Sequence, residues 1–446
     1  MPPEHDDPAE LQPPRPANHD CDVLVVGAGP AGSAAAYWLA SEGVDVLVVE
    51  KKHFPREKTC GDGLTPRSVA QLELMGLGGD LAQHHRYRGL RTNAFGRTIE
   101  MDWPEHPDLP RYGYVITRLD LDALVANQAE KQGATIWQGA EAVSPLVGPD
   151  GTESADEDRR AGDRARAGGA IVLDRGRGTT TEVRAKYTIV ADGSLSRFGR
   201  ALGSSRNRSW PQGMALRGYY HSPRDSEPYI DSWLDIRDGD GKVVPGYGWI
   251  FPLGDGRVNV GVGLLSTSDR WKKVNTTKLM QSFVAHAPAS FCLEEGTSCG
   301  PPTGGHLPMG LSVGPRFGAD FVVVGDACGT INPFNGEGIA YGYESGRLAA
   351  GVVASALAGA GAAHLAEYEH RLDETYGLYY RVARAFIEVI SRPQLMRVCV
   401  GSGMYSKSLM EWLLRIMGNI LRPDEIGPAE AAYRAVAALA RSLPAA

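Results

Sequence analysis

The sequence has few cysteines and no excess of positive charge. The six cysteines occupy positions 21, 60, 292, 299, 328 and 399 of 446. No two are spaced as in a CxxC redox motif or a zinc site, so we expect a reduced cytoplasmic protein without a metal site. Forty-six Lys and Arg against 53 Asp and Glu give a net charge of −7. This balance argues against nucleic acid as an obligatory partner, because phosphate neutralisation needs a basic surface.

A signal peptide and a long hydrophobic run are also missing. Residues 1–20 contain six prolines but no basic segment and no apolar core, so we predict a disordered tail there. Residues 348–366 lack Asp, Glu, Lys and Arg, yet they are mostly Ala and Gly, and we do not predict a membrane span. Glycine, in contrast, is abundant: its 55 residues are about 12% of the chain against a usual ~7%.

The first glycine cluster lies between a predicted strand at residues 22–26 and a predicted helix at residues 31–42, and a second strand at 44–50 ends at Glu50. In a dinucleotide-binding unit of this order, the three glycines allow a tight turn, a close pyrophosphate and close helix packing. The terminal acid binds ribose hydroxyls, which favours FAD or NAD over NADP. The cofactor contacts predicted here are Gly27, Ala28, Gly29, Pro30, Ala31, Gly32, Glu50 and Lys51.

A second glycine-rich segment favours FAD over NAD. A predicted strand at 321–324 is followed by an acid and by glycines that approach a helix starting near residue 339. The acid suits a ribityl hydroxyl, and a helix N-terminus at the flavin ring stabilises the reduced anion. The alternative is a glycine-rich turn capped by the acid. The contacts predicted here are Asp326, Pro333, Gly336, Gly338 and Ile339.

Two further motifs carry a resemblance to a known family. One is the Cys-Gly-Asp-Gly segment at 60–63; the other is Tyr-x-Trp-x-Phe-Pro at 247–252 followed by Gly-x-Gly at 261–263. Together with the glycine-rich segments, they resemble the geranylgeranyl reductase family of FAD-dependent oxidoreductases over residues 21–422. This family has a p-hydroxybenzoate-hydroxylase-like fold. Segments 60–67 and 246–253 are most similar to its actinobacterial menaquinone reductases.

The resemblance implies roles for individual residues. Further FAD contacts are expected at Cys60, Gly61, Asp62, Gly63, Arg118 and Ala142, the last of these where the chain leaves the strand at 134–137. Substrate contacts are expected at Tyr247, Trp249, Phe251, Pro252, Gly261 and Gly263. From the sequence alone, Arg118 opens a predicted helix at 118–132 and is either a pyrophosphate clamp or a solvated charge. Asp192 is either a flavin contact or part of a strand-end turn, and the aromatic set is equally consistent with core packing.

The function implied by the resemblance is saturation of isoprenoid C=C bonds in a prenyl lipid, either a menaquinone side chain or a geranylgeranyl group. Reduced flavin would transfer hydride, and Cys60, the catalytic candidate, would assist protonation or shape the site. An ordinary half-buried thiol is the alternative for Cys60. A monooxygenase or halogenase on the same fold, or a flavin redox sensor without turnover, is the competing function. The electron donor, NAD(P)H or a ferredoxin, stays open.

The predicted architecture is α/β, with a Rossmann-like FAD-binding domain interleaved with an antiparallel β-sheet substrate domain and followed by C-terminal helices. The predicted FAD-binding segments are 21–90, 118–204 and 306–364, with a solvated insertion at 148–169. Residues 91–117 and 205–305 are assigned to the substrate domain and 365–446 to the helices.

An apolar stripe on a helix at 409–421 is interpreted as contact with the inner face of the cell membrane or as core packing. Its apolar members are Leu409, Trp412, Leu413, Ile416, Met417 and Ile420, with Lys407 and Arg415 nearby for anionic head groups. Cys292 and Cys299 are expected to be partly buried thiols, with a local disulfide as the alternative.

Overall fold

The computed structural model describes residues 14–146, 165–267, 271, 274–422 and 427–441. Its strands, numbered in chain order, are β1 (Asn18–Val26), β2 (Val46–Glu50), β3 (Gly63–Leu64), β4 (His85–Tyr87), β5 (Gly89–Ala94), β6 (Arg97–Asp102), β7 (Gly113–Val115), β8 (Thr135–Gln138), β9 (Ala140–Pro145), β10 (Gly169–Asp174), β11 (Thr180–Val190), β12 (Ser205–Arg206), β13 (Gln212–His221), β14 (Tyr229–Trp233), β15 (Gly246–Pro252), β16 (Arg257–Leu265), β17 (Thr303–Pro308), β18 (Val313–Gly314) and β19 (Phe321–Val323).

The α-helices are α1 (Pro30–Ser41), α2 (Pro66–Leu74), α3 (Gly78–Leu81), α4 (Arg118–Gln132), α5 (Arg197–Ala201), α6 (Thr276–His286), α7 (Ile339–Ser355), α8 (Ala366–Leu372), α9 (Leu378–Ile390), α10 (Pro393–Gly403), α11 (Lys407–Met417) and α12 (Pro428–Arg441). Helix α4 has the predicted bounds because both ends are marked in the sequence. The Thr117 side chain accepts a hydrogen bond from the Asp120 amide, and Gly133 ends the helix at a φ of 120°.

The first large sheet has the order β8-β2-β1-β11-β10-β9, with β19 beside the end of β11. Strands β8, β2, β1, β11 and β19 pair in parallel, whereas β10 and β9 are antiparallel. The central strands are buried on both faces, which explains their continuous apolar runs. Helices α1 and α7 pack closely on each other beside this sheet. The FAD-binding part of the predicted fold therefore forms from distant segments of the chain.

The second large sheet has the order β17-β13-β16-β15-β14-β5-β6 and is antiparallel except for the β14–β5 pair. Helix α6 covers one face, where its Leu279 and Phe283 pack in one cluster with Val260 of β16. The opposite face is turned toward the FAD-binding lobe. The predicted fold class, with an α/β lobe, an antiparallel sheet and C-terminal helices, is confirmed.

Several predicted boundaries are wrong. Strand β1 begins at Asn18, inside the predicted tail, because residues 18–20 pair with β11. Strand β7 lies within 91–117 but joins β3 and β4 in a small sheet of its own, and β17 crosses the boundary at 305 to pair with β13. Most of the predicted insertion at 148–169 lies outside the described residues. Its last part is not solvated, since Ala167 is fully buried and its amide donates to Asp320.

The predicted stripe on α11 packs only partly on the core. Ile420 is buried, Leu413, Ile416 and Met417 are partly buried against the core, and Leu409 is 38% exposed. Arg415 lies 3.9 Å from the Glu430 carboxylate. Core packing therefore accounts for part of the stripe, and contact of its exposed part with a membrane stays a prediction. Among the described residues, no helix combines the length and the apolar character needed to cross a bilayer.

Candidate functional site

The loop between β1 and α1 leaves an open space at its second glycine. A Cβ on Gly32 would lie 1.9 Å from the Gly27 carbonyl oxygen, so only glycine fits where the helix meets the loop. Gly27 has a φ of 102°, as the tight turn requires. At Gly29, by contrast, the nearest heavy atom to an added Cβ is Arg56 Nη2 at 3.8 Å. The space above Gly29 and the amides at the start of α1 therefore suit a pyrophosphate.

Glu50 ends β2 beside this loop. Its Oε2 accepts a hydrogen bond from the Ala28 backbone amide at 3.1 Å, and its Oε1 accepts one from the Lys52 backbone amide at 3.1 Å. The carboxylate is buried but retains acceptor capacity, which the predicted ribose contact requires. Lys51, the next residue, is exposed at the strand end.

Two charged residues that the sequence reasoning missed, Arg56 and Asp122, form ion pairs next to Glu50. Arg56 lies 3.3 Å from Glu50 and 2.9 Å from the Asp122 carboxylate, and Arg118 pairs with Asp122 through two bonds of 2.6 and 2.7 Å. Arg118 is buried, so the interpretation of it as a solvated charge is wrong. The position of Asp122, four residues after Arg118 on a helix, was a usable signal for this pair. Negative and positive side chains thus alternate in the order Glu50, Arg56, Asp122 and Arg118.

The segment from Cys60 to Gly63 lies on the free face of the second sheet. Its Cys60 carbonyl oxygen accepts hydrogen bonds from Arg217 Nε at 3.2 Å and from Asn259 Nδ2 at 3.0 Å. An added Cβ on Gly61 or Gly63 would come within 3.2 Å of the Phe251 ring. The glycines of this motif therefore permit the close approach of loop and sheet.

The spacing of the aromatic motif follows from strand geometry. Tyr247, Trp249 and Phe251 alternate along β15 and share the face turned toward this loop. On the neighbouring strand, a Cβ on Gly261 would lie 2.1 Å from the Trp249 ring, so the distal glycine makes room for the indole. Gly263 is less constrained, with the same ring at 3.7 Å. Pro252 is the last residue of β15.

The aromatic residues connect the two lobes. Trp249 Nε1 donates to Asn259 Oδ1 at 2.9 Å, and the Tyr247 hydroxyl donates to the Asn335 carbonyl oxygen at 2.7 Å. Only 4% of Trp249 is exposed, so this indole packs between sheet and loop. Tyr247 is half-buried and touches the second glycine-rich segment. The sheet thereby fixes both loops that the sequence assigns to the flavin.

The second glycine-rich segment lies beside the first. An added Cβ on Gly325 would be 2.7 Å from the Cβ of Ala31, and one on Gly338 would be 3.3 Å from Asp326 Oδ1. Gly338 precedes α7, whose first residue is Ile339, and Pro333 is buried. Gly336 has a φ of 76°, which favours glycine there. The predicted pyrophosphate, ribityl and ring contacts are thus brought together at the N-termini of α1 and α7.

Burial changes the acid strength of three groups around these loops. It raises the pKa of the Cys60 thiol, and the Arg118 guanidinium only partly offsets this. It also raises the pKa of Asp62 to about 6 and that of Glu337 to about 7. Glu337, another residue the sequence reasoning missed, accepts hydrogen bonds from Thr65 and Ser68.

Two predicted cofactor residues have other surroundings. The Asp192 carboxylate accepts hydrogen bonds from Ser196 Oγ at 2.6 Å and the Phe198 amide at 2.9 Å, as in a strand-end turn that leads into α5. Ala142 lies inside β9, opposite Val172, because an antiparallel pair forms where the sequence suggested a loop. Cys292 and Cys299 are free thiols, but they are exposed and not partly buried.

Comparison with known proteins agrees with this geometry. A family model described as an FAD binding domain matches residues 20–214. The menaquinone reductase of Mycobacterium tuberculosis (strain ATCC 25618 / H37Rv) is 41% identical over 91% of this chain and 92% of its own length. The menaquinone reductase of Mycolicibacterium smegmatis is 40% identical over 92% of this chain and 94% of its own.

A more distant relative, digeranylgeranylglycerophospholipid reductase 1 of Methanopyrus kandleri, is 30% identical over 89% of this chain and 97% of its own length. The chain belongs to the geranylgeranyl reductase family of FAD-dependent oxidoreductases. This confirms the predicted resemblance, the enzyme class and FAD as the cofactor.

Solved structures show the same fold. A geranylgeranyl bacteriochlorophyll reductase-like protein from Thermoplasma acidophilum has a TM-score of 0.71 at 24% identity and covers 94% of this chain and 96% of its own. The flavin-dependent brominase Bmp2 has a TM-score of 0.70 at 18% identity and covers 95% of this chain and 100% of its own. At these identities, the likeness of this family member to both structures concerns the fold alone.

Proposed function

We propose that this oxidoreductase saturates isoprenoid C=C bonds in the side chain of a prenyl lipid, with a menaquinone as the first substrate to test. The observation that carries the proposal is the 41% identity, over nearly the whole chain, to a protein named menaquinone reductase. The methanogen relative, named a digeranylgeranylglycerophospholipid reductase, supports the broader class of prenyl lipids.

The residues fit the cofactor in a consistent order. The open cradle at Gly29 would hold the pyrophosphate, Glu50 the ribose, Asp326 the ribityl chain and the residues before Ile339 the ring. When bound and reduced, the flavin supplies a hydride to one alkene carbon. An isolated alkene has no electron sink, so positioning and exclusion of water must contribute much of the catalysis.

Cys60 is proposed to lie against the reacting part of the substrate, where it assists protonation or shapes the site. Its neighbour Arg118 and the aromatic face of β15 support this placement. The test is the turnover of Cys60→Ser and Cys60→Ala with FAD binding as the control. We expect normal FAD content and reduced turnover in both variants. Parental turnover in both would remove any catalytic role for the thiol.

The experiment that tests the function is anaerobic incubation of the dithionite-reduced holoenzyme with menaquinone or with geranylgeranyl diphosphate, followed by mass spectrometry. After reoxidation of the quinone head group in air, a gain of two hydrogens in the menaquinone side chain, or of a larger even number, is the expected result and also gives the extent of reduction. Reaction with geranylgeranyl diphosphate alone would show that the substrate carries a diphosphate head group and not a quinone. No gain in either lipid would contradict the proposal.

The competing monooxygenase or halogenase function rests on fold likeness at 18% identity, as with the brominase. Oxygen separates the two functions, because both competing reactions consume O2 whereas saturation proceeds without it. Stoichiometric O2 consumption with a hydroxylated or halogenated lipid would favour the competing function. Formation of more than one side-chain-saturated menaquinone per enzyme flavin under argon would exclude a redox sensor without turnover. The same assay, started with NAD(P)H or reduced ferredoxin, identifies the electron donor.

Peripheral contact with an anionic membrane is proposed through α10, next to the contact predicted for α11. Leu395 and Val398 are exposed on α10, and Tyr405 follows it with 73% of its surface exposed. The exposed Arg392 and Arg397 lie on the same segment and complement anionic head groups. A long prenyl chain partitions strongly into hydrocarbon at ~0.8 kcal/mol per CH₂, so the enzyme must meet its substrate at the bilayer. We call this set of five residues the α10 surface.

A further inference from the structure

Asp62 is a fully buried acid in the segment that the sequence assigns to the flavin, with a φ of 63°. Its Oδ2 accepts hydrogen bonds from the Tyr219 hydroxyl at 2.5 Å and from Asn259 Nδ2 at 2.7 Å. Its Oδ1 is also buried but has no hydrogen-bond partner among the described residues. The two oxygens of one carboxyl therefore have different surroundings.

This asymmetry determines where a proton resides. The Tyr219 hydroxyl and the Asn259 amide both donate to Oδ2 and occupy its two acceptor positions, so a proton on the carboxyl is carried by Oδ1. A buried, ionised oxygen without a partner is unfavourable, whereas a protonated Oδ1 can donate to a ligand in the site. The geometry thus places one acidic proton on a buried oxygen that has no partner among the described residues, beside Cys60.

The charged and titratable groups around Asp62 come from three elements. Arg217 and Tyr219 face it from β13, Arg118 faces it from α4, and Cys60 shares its loop. Burial is the largest influence and raises the pKa of the carboxyl to about 6, against the opposing effect of the Tyr219 hydrogen bond. Burial also raises the pKa of the Cys60 thiol above its ordinary value. Of the two acids in this loop, the carboxyl is therefore the stronger and has a pKa nearer to neutral pH.

We propose that Asp62 is the proton donor of the site and that Oδ1 delivers its proton to the alkene carbon that does not receive the hydride. This rests on the proposed reductase function. The π bond, the Asp62 O–H bond and one N–H bond of the reduced flavin would break and two C–H bonds would form, so the alkene is reduced and the flavin is oxidised. Asp62 is left as a carboxylate and regains a proton from water, with the half-buried Tyr219 hydroxyl bonded to its other oxygen. Cys60 then shapes the site and transfers no proton.

The test compares Asp62→Asn with the parent. Asparagine tolerates a positive φ, and its amide oxygen still accepts from Tyr219 and Asn259, but it has no acidic proton. Holoenzyme reduced by dithionite is mixed anaerobically with menaquinone in detergent micelles, and product is quantified by mass spectrometry. We expect normal FAD content and a rate at least about 100-fold lower. In the parent, the rate should fall as pH rises through the pKa of Asp62, because the donor must be protonated.

Tyr219→Phe gives a second readout that a merely structural acid would not move. Removing the hydroxyl removes a hydrogen bond that stabilises the carboxylate, so the inflection of the rate should move to higher pH. Cys60→Ala should leave the inflection in place. An Asp62→Asn rate within threefold of the parent would overturn the proposal, as would an inflection that Tyr219→Phe does not move. If Asp62→Asn fails to fold, the Tyr219→Phe result decides.

Titration of the carboxyl separates this proposal from the proposed function. Carbon-13 NMR of protein labelled at the aspartate carboxyl should give one resonance, absent from Asp62→Asn, with a midpoint near 6 in the parent. A midpoint near the ordinary value of about 4 would overturn the role of Asp62 whatever the substrate. A midpoint near 6 without menaquinone reduction would support the buried acid and contradict the menaquinone function.

Discussion

The FAD-binding lobe and the β-sheet lobe differ in how far apart along the chain their contacting residues lie. The fingerprint glycines and Glu50 are within about thirty residues and meet inside one β-α-β unit. The sheet lobe, by contrast, reaches the FAD-binding lobe through Tyr219 and Asn259, which contact Asp62 across 157 and 197 residues. A binding loop formed by local chain geometry can be predicted from spacing. The position of a loop that depends on a sheet far away along the chain cannot be predicted from spacing.

Filling the open space above Gly29 should remove FAD from the first lobe and leave its fold unchanged. Gly29→Val places a side chain in the open space above the loop, where the pyrophosphate must bind, so we expect no bound FAD and an unchanged circular dichroism spectrum. Flavin absorbance of the purified variant measures this. The matched change Gly32→Val meets the Gly27 carbonyl at 1.9 Å and should instead lower stability. Full FAD occupancy in Gly29→Val would refute the assignment of this loop.

Removing the buried acid of the loop at 60–63, where this loop contacts the sheet lobe, should stabilise the fold more as the pH rises. The folded pKa of Asp62, about 6, lies above the ordinary 3.8, so folding favours the protonated form. The contribution of the protonated Asp62 carboxyl to the unfolding free energy is present below about pH 4 and is lost as the pH rises toward 6. Relative to the parent, the unfolding free energy of Asp62→Asn should therefore increase by about 2–3 kcal/mol between pH 4 and pH 7. Urea unfolding at both pH values measures the difference. A difference independent of pH would contradict the raised pKa.

The packing of Trp249 on the aromatic face should depend on Gly261 and not on Gly263. Gly261→Ala drives a methyl group into the Trp249 ring, and we expect a loss of about 1–3 kcal/mol of unfolding free energy. Gly263→Ala meets the same ring only at 3.7 Å and should change stability by less than about 1 kcal/mol. Equal effects in urea unfolding would show that Trp249 is free to move.

The smallest expected effect concerns the C-terminal helices, which belong to neither lobe. Leu395→Glu/Val398→Glu replaces apolar groups of the α10 surface by charge and should lower flotation with phosphatidylglycerol vesicles by about fivefold. Val436→Glu, at another exposed apolar position, is the control and should float like the parent. Equal flotation of all three proteins would exclude the α10 surface as the contact.

Prediction from the sequence succeeded where a signal is confined to neighbouring residues. The first β-α-β unit and the bounds of helix α4 follow from periodicity. The spacing of Tyr247, Trp249 and Phe251, known from the family motif, agrees with side chains that alternate along a strand. Prediction from the sequence left alternatives open where solvent exposure had to be known. Arg118 was compatible with water or with burial, and the stripe of α11 with a membrane or with the core.

By itself, the sequence determined the fold class, the family and the FAD fingerprint, because these depend on short-range spacing that the chain cannot satisfy in another way. Only the tertiary structure decided the partners of that fingerprint: Arg56 with Asp122 beside the cradle, and Tyr219 with Asn259 on Asp62. The physical reason is burial. The acid strength of a carboxyl depends on the water and the donors around it, and those are set by residues that meet only when the two lobes pack together.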